Sequence, residues 1–454
     1  MANTRIGRTV SVAGSRRKAT FSAWVKRTGL GESWIAKFGG NYSQGNFMQI
    51  GFNSADNCFI IGDIPSASNP RMESTRKFRD TNAWYHYVVA FDTTQSTASN
   101  RLKFYINGEL ITAYNTATYP TLNHDLGFNR TGTYNNAWLG GRGESSFEFN
   151  GIMSHVHWID GTAYDASAFG STDSTTGEWK INTSPSVTYG TNGYFILKDG
   201  NSLTDASGKG NNFSSLVGTL TKTEDCPSNV FATWNPLYKN NSTFSNGNTT
   251  SASGSSGEFN SASTLGMPSG KWYMEFKRVS GNYPMFGIVD DIALAEYSNA
   301  NMGLGKTGTT KSIALRLNDG KTRVNNVATT QGGSISNGDI VGVAVDKTTN
   351  KIYFSKNGQW SNGSGAWDST TFNASTGATD VSSILTGDTW FFACGTDTGE
   401  ANNTFSANFG NGYFGTTAIT TNSGNGYAGA EGASKFSYQP PSGHSELNTK
   451  GLNQ

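Results

Sequence analysis

Glu144 and Glu148, separated by Ser-Ser-Phe, are the nearest this sequence comes to the paired carboxylates of glycoside hydrolysis. Alternate positions on a strand share a face, so a strand here would set both acids into one cleft as nucleophile and acid. No Asp stands between them to tune the pair, and the expected reading is a polar strand edge without catalysis. His155 and His157 share a strand face in the same way, the beginning of a metal pair. Neither has a Cys, Asp or Glu at ligand spacing, so half-buried strand histidines are expected instead. Gly-x-Ser-x-Gly, His-Glu-x-x-His and Cys-x-x-Cys are absent. "ANMGLGKT" (300–307) approximates a phosphate loop, but Ala300 replaces its first Gly. The alternating "GTTKSIALRL" that follows predicts a strand where the phosphates would need a helix N-terminus.

The elements that must carry these residues are strands. Gly makes up 56 of 454 residues, about 12% against a usual value near 7%. Aromatics reach 12% and charged residues only 15%, a balance that favours short strands and tight turns over long amphipathic helices. The net charge of +1 supplies no long-range pull on nucleic acid or an anionic membrane. No apolar run approaches the ~20 residues of a membrane span, and "MANTRIGRTVSVAG" has no signal-peptide h-region. Cys58, Cys226 and Cys394 form neither a disulfide framework nor a metal knuckle.

About eight strands are expected in residues 1–165; in "FSAWV" Phe21, Ala23 and Val25 share one face and Ser22 and Trp24 the other. Such alternation suits a two-sheet antiparallel sandwich. Residues 166–239 read as a strand-containing connection. Residues 240–257, almost all Asn, Ser, Thr and Gly, read as a surface loop or linker. A second strand-rich block covers 258–414, and 415–454 reads as an extended arm able to lace into a neighbouring subunit. One phrase occurs twice: "VVAFDTTQSTASNRLKFYINGE" (88–109) and "VGVAVDKTTNKIYFSKNGQW" (341–360) each run from an Asp-x-Thr turn through aromatics to Asn-Gly. Asn-Gly accepts the positive φ of a hairpin turn, so the repeat marks the middle of two sandwiches.

The first block resembles the laminin-G-like, concanavalin A-like jelly roll in "FSAWVK", "YHYVVAFD", "KFYINGELI" and "NGIMSHVHWIDGTAYDASAF". The second resembles a SPRY domain in "GKWYMEFK", "GDIVGVAVDKTTNKIYFSKNGQW" and "FSANFGNGYF", and together the two cover roughly two-thirds of the chain. The connection beginning "FGSTDSTTGEWKINTSPSVTYG" resembles a segment of marine bacteriophage structural proteins that joins these same two domain types. The resemblance implies two concanavalin A-like sandwiches in tandem, in a virion surface protein made in the host cytoplasm: a fibre, tail appendage or capsid decoration. Since the first domain begins near Met1, no separate anchoring domain is expected ahead of it. Other virion proteins, further copies of the chain and host-surface polysaccharide are the implied partners. The alternative is a secreted lectin or glycanase-related module of a marine microbe. Laminin-G-like domains often hold calcium, for which Asp199, Asp205, Asp290 and Asp291 are the candidates; no other cofactor is expected. Glycan binding calls for aromatics in polar loops, and the candidates are Trp138 with Arg142 and Glu144, and Trp360 with Trp367.

Overall fold

Along Lys18–Arg27, Phe21, Ala23 and Val25 are fully buried in the core, and Ser22, Trp24 and Lys26 point the other way. This period of two builds the whole molecule. The computed structural model describes residues 4–40, 46–54, 57–64, 70–144, 147–198, 200–253, 260–281, 283–294, 304–305, 311–396, 402–419, 427–430, 432 and 434–452. They fall into two units, residues 1–222 with 226–228 and residues 223–225 with 229–454. No helix among them is long and apolar enough to cross a membrane.

In the first unit an eight-stranded sheet runs in the order Tyr114–Thr118, Arg71–Lys77, Cys58–Ile64, Phe47–Phe52, Ser33–Gly39, Asn136–Leu139, Arg5–Thr9, Ser215–Val217. A six-stranded sheet runs Tyr194–Ile196, Gly151–Asp160, Lys18–Arg27, Trp84–Asp92, Leu102–Ile106, Glu109–Leu110. Both contribute to one apolar core, with Ile6, Ile50 and Ile61 from the first and Phe21, Tyr87 and Trp158 from the second. Trp158 buries its ring and donates its indole N–H to Asn129 Oδ1 at 3.1 Å.

The connection expected over 166–239 divides between the units. Tyr194–Ile196 completes the six-stranded sheet, and Tyr194, Ile196 and Phe213 enter the first core. Ahead of them, Gly170–Thr172 and Trp179–Ile181 form a hairpin whose Trp179 belongs to the apolar cluster on that sheet's outer face. Trp179 Nε1–H donates to His86 Nδ1 at 3.0 Å, and His86 stacks on Trp24 with ring centroids 5.0 Å apart. Burial pushes the His86 imidazole down to about 3, so it stays neutral. Trp234–Asn240 starts the second unit.

The second unit pairs a seven-stranded sheet with a ten-stranded one. Its core is built on Trp234, Phe276, Phe286, Val343, Trp390 and Phe405. The expected linker 240–257 is a correction. Ser242–Ser245 and Thr250–Ser253 form a hairpin that pairs with Thr404–Asn408, while residues 254–259 lie outside the described residues. Its polarity did not prevent order because its backbone is paired and several of its hydroxyls find partners: Thr250 Oγ1 lies 3.1 Å from Ser406 Oγ, and Ser242 Oγ–H donates to the Asn260 carbonyl at 3.3 Å.

The C-terminal arm is corrected as well. Ser445–Glu446 pairs in parallel with Lys271–Ser280, Leu447 enters the core, and Phe436 packs with Tyr273, Tyr353 and Trp360. Glu275 fastens this return. Its buried carboxylate accepts the backbone N–H groups of Ser437 and Tyr438 at 2.8 Å each, with Tyr273 Oη–H at 3.2 Å and Asn408 Nδ2–H at 3.4 Å.

The repeated hairpin plays the same part in each unit. Asn107 and Asn357 sit at φ of 48°, and each side-chain oxygen accepts a backbone N–H from the neighbouring strand, that of His86 and of Ile340. The glycine that follows is a seat. A methyl carbon on Gly108 would stand 2.5 Å from the Trp179 ring, and one on Gly358 2.6 Å from the Tyr438 ring. In both units the turn supports a returning outer segment.

Candidate functional site

The registers of the eight-stranded sheet put Ile6, Leu139, Ala36, Ile50, Ile61 and Met72 in one cross-strand row, all of them core. One residue along, the row on the opposite face reads Gly7, Trp138, Lys37, Gln49, Gly62, Arg71. A strand cannot supply the first row without presenting the second. The first row is apolar; the second carries an indole, an ammonium and an amide between two glycines.

Trp138 is half-buried and lies across Gly7, where a methyl carbon would meet its ring at 2.6 Å. The Arg5 guanidinium stands 5.9 Å from the ring centroid and pairs with Glu148 at 2.9 Å. Past Leu139 the chain turns back at the ends of these strands. Gly140 N–H donates to the Ile35 carbonyl at 2.8 Å, and Trp34 N–H to the Phe147 carbonyl at 3.1 Å. Arg142 sits between two rings, 4.8 Å from Trp34 and 4.7 Å from Phe147, and donates to Glu32 Oε1 at 2.7 Å. Trp34 Nε1–H donates to the same oxygen at 3.1 Å.

Phe147 escaped the sequence analysis. It is 44% exposed and holds φ at +59°, a conformation costly for a bulky side chain. Strain of this kind collects at functional positions, and here it props an aromatic face outward on the Arg142 cation. "SSFEFNG" reads as alternating strand, and only the fold reveals which Phe turns out. Of the residues that sequence grouped, Trp138 ends up half-buried, and Arg142 is buried as a support under Trp34 and Phe147. Glu144 acts on Lys37: burial and Arg142 push that ammonium down to about 8, and Glu144 opposes them.

Other candidates are placed elsewhere. Glu144 lies in a bend and not on a strand with Glu148, whose backbone forms a single bridge to Trp34. His155, at φ +49°, lies in a bulge of Gly151–Asp160, so its side chain departs from simple alternation. His157 is buried, stacks on Phe195 at 4.0 Å and lies 2.9 Å from Tyr189 Oη; burial and His155 hold its imidazole well below the usual range. Trp360 is buried with Tyr273 and Tyr353, whereas Trp367 lies against Gly332 and donates to the Gly333 carbonyl at 2.7 Å. Trp360 belongs to the outer cluster and Trp367 packs against the main core, so they form no joint platform.

Two of the four calcium candidates are used by the chain itself. Asp205 accepts the backbone N–H groups of Phe195, Ser207 and Asn211 at 2.8–2.9 Å. Asp290 accepts those of Ala293 and Gly387 at 3.1 and 2.8 Å. Asp291 begins the short helix Asp291–Leu294, and Asp199 lies outside the described residues, as does most of 300–307. Among the described residues no three of His, Cys, Asp and Glu are grouped to hold a metal.

Residues 6–168 match the family model of the concanavalin A-like lectin/glucanases superfamily. Over these residues the fold is concanavalin A-like. Similar solved structures include the SPRY domain of human HERC1, at 15% identity over 38% of this chain and 96% of that one, with a TM-score of 0.29. A heptameric SAP-like pentraxin from Limulus polyphemus is 14% identical over 44% and 87%, with a TM-score of 0.28. No curated protein matches the sequence.

Proposed function

We propose that this protein binds carbohydrate on the outer face of the eight-stranded sheet of its first unit, without cleaving it, as a surface protein of a bacteriophage particle. The observations that carry the binding are the half-buried Trp138 on that face and the strained, exposed Phe147 on the Arg142 support. Sugars present apolar C–H faces to such rings, while Gln49 and the rim charges offer partners to hydroxyls. Binding without hydrolysis is supported by Glu148 being occupied by Arg5 and lying off any shared strand face with Glu144. The virion reading rests on the order of the two domain types about the connecting segment. Repetition of the chain on a particle would raise the avidity of a weak site by 10²–10⁴ on the order of known multivalent systems.

A glycan array probed with the full chain is expected to give signals on bacterial-surface polysaccharides, with the glycans intact afterwards. Silence across such an array would remove the binding reading. Mass spectrometry of purified particles tests the location separately, and absence of the chain from them would favour the secreted-lectin alternative.

A further inference from the structure

The first unit has a cleft of about 290 Å³ where the chain crosses from one sheet to the other. Glu109–Leu110 is the last strand of the six-stranded sheet and Tyr114–Thr118 the first of the eight-stranded one, and the segment joining them lines the cleft. Leu110, 42% exposed, and the half-buried Ile111, Tyr114 and Tyr119 give it apolar walls. Tyr114 is fixed by its hydroxyl, which donates to the Ile111 carbonyl at 2.6 Å. The rest of the lining is polar. The side chains of Ser99, Asn100, Lys103 and Thr112, and the Tyr119 hydroxyl, have no hydrogen-bond or ion-pair partner among the described residues. The backbone adds a further pair. Ile111 N–H donates to the Phe104 carbonyl at 2.8 Å, so alternation turns the N–H and C=O of Leu102 to the same side, past the end of Glu109–Leu110. Arg101 ties the rim together, donating to the carbonyls of Gln95 and Ser96 at 2.7 Å and of Pro120 at 3.0 Å.

We infer that this cleft is a second carbohydrate site, which takes one sugar ring with its C–H face on the tyrosine and leucine walls and its hydroxyls on Ser99, Asn100, Thr112 and the Leu102 backbone. The inference rests on the proposed carbohydrate binding and adds a site to it. The volume stands at the small end of ligand clefts, roughly 300–1,000 Å³, which is room for one ring. A sugar presents an apolar face and several donors and acceptors together, and the lining answers both. A peptide strand would need successive backbone groups to pair with, and along Leu102–Ile106 only Leu102 has its pair free. No carboxylate lines the cleft and Lys103 does, so a sugar with an acidic substituent meets no repulsion there. Tyr114–Thr118 and Asn136–Leu139 are five strand steps apart in the sheet order, roughly 24 Å at 4.8 Å a step, so the cleft is separate from Trp138. One polysaccharide engaging both would gain avidity.

Saturation-transfer NMR on the full chain tests this with the methyl glycosides of glucose, galactose, mannose and N-acetylglucosamine at millimolar concentration, single rings too small to bridge the two sites. Transfer to at least one of them is expected with the wild type and equally with Trp138→Ala. Thr112→Trp fills the cleft from an exposed position and is expected to weaken that glycoside by about 10-fold or more. Ser99→Trp blocks it from another exposed position, and a thermal midpoint matching the wild type in either variant separates lost binding from lost folding. Transfer retained in both tryptophan variants, or transfer to none of the glycosides with the wild type, would overturn the cleft and leave the Trp138 face to the array. Transfer lost in Trp138→Ala but kept in Thr112→Trp would place the binding on the sheet face and overturn the cleft as well. A silent array together with no transfer would remove carbohydrate binding altogether.

Discussion

Glu275→Ala is expected to destabilise the second unit by about 3–5 kcal/mol, because it strands the buried Ser437 and Tyr438 N–H groups and the Asn408 amide at roughly 1–3 kcal/mol each. Urea unfolding of the full chain measures the loss, with amide exchange at Ser437 and Tyr438 assigning the transition. A change under about 1 kcal/mol would mean that Phe436 and Leu447 alone hold the return segment. The same carboxyl makes stability depend on pH. Burial pushes Glu275 from the ordinary carboxyl value of 4.5 up to about 7, against the hydrogen bonds that favour its charge. A folded value above the unfolded one means a stabilising contribution that is complete below about 4.5 and disappears as pH rises through 7. Across that window the second unit is therefore expected to weaken by on the order of 2–3 kcal/mol, a slope that Glu275→Ala abolishes.

Trp138→Ala is expected to weaken glycan binding about 10- to 100-fold, the range of a central aromatic anchor. The half-buried ring lies against Gly7 and Gly143 and outside the main core cluster, so its loss removes contact area without opening that core. Trp138→Phe should recover part of the affinity, since a smaller ring still fits above Gly7. Titration of the polysaccharide identified by the array, on variants whose unfolding curves match the wild type, measures both. Affinity within twofold of wild type for Trp138→Ala would exclude this ring from recognition.

Much of the fold was legible because alternation is local. Phe21, Ala23 and Val25 were placed on one face by spacing, and all three are in the core. The Asn-Gly pairs carry positive φ as their residue types require. What escaped depends on distant partners. The hairpin Ser242–Ser245 and Thr250–Ser253 carries little apolar area of its own, and only pairing with Thr404–Asn408 gives its backbone a place. The C-terminal segment looks extended until Glu275, about 160 residues earlier, receives its N–H groups.

The site divides along the same line. Trp138, Arg142 and Glu144 are close in sequence, so the loop that joins them was visible. Lys37, Gln49 and Gly62 come from three strands and meet only through register. The bulge between Trp34 and Ala36 matters here, for it shifts the alternation along Ser33–Gly39 and places Lys37 outside while Ile35, Ala36 and Phe38 stay in the core. Spacing alone does not announce such a bulge.

Amide hydrogen exchange of the full chain, with and without the polysaccharide that the array identifies, tests the binding face most directly. Slowed exchange is predicted in Ser33–Gly39, Phe47–Phe52 and the stretch from Asn136 through Phe149. Protection confined to the second unit, or absent from those strands at saturating polysaccharide, would contradict it.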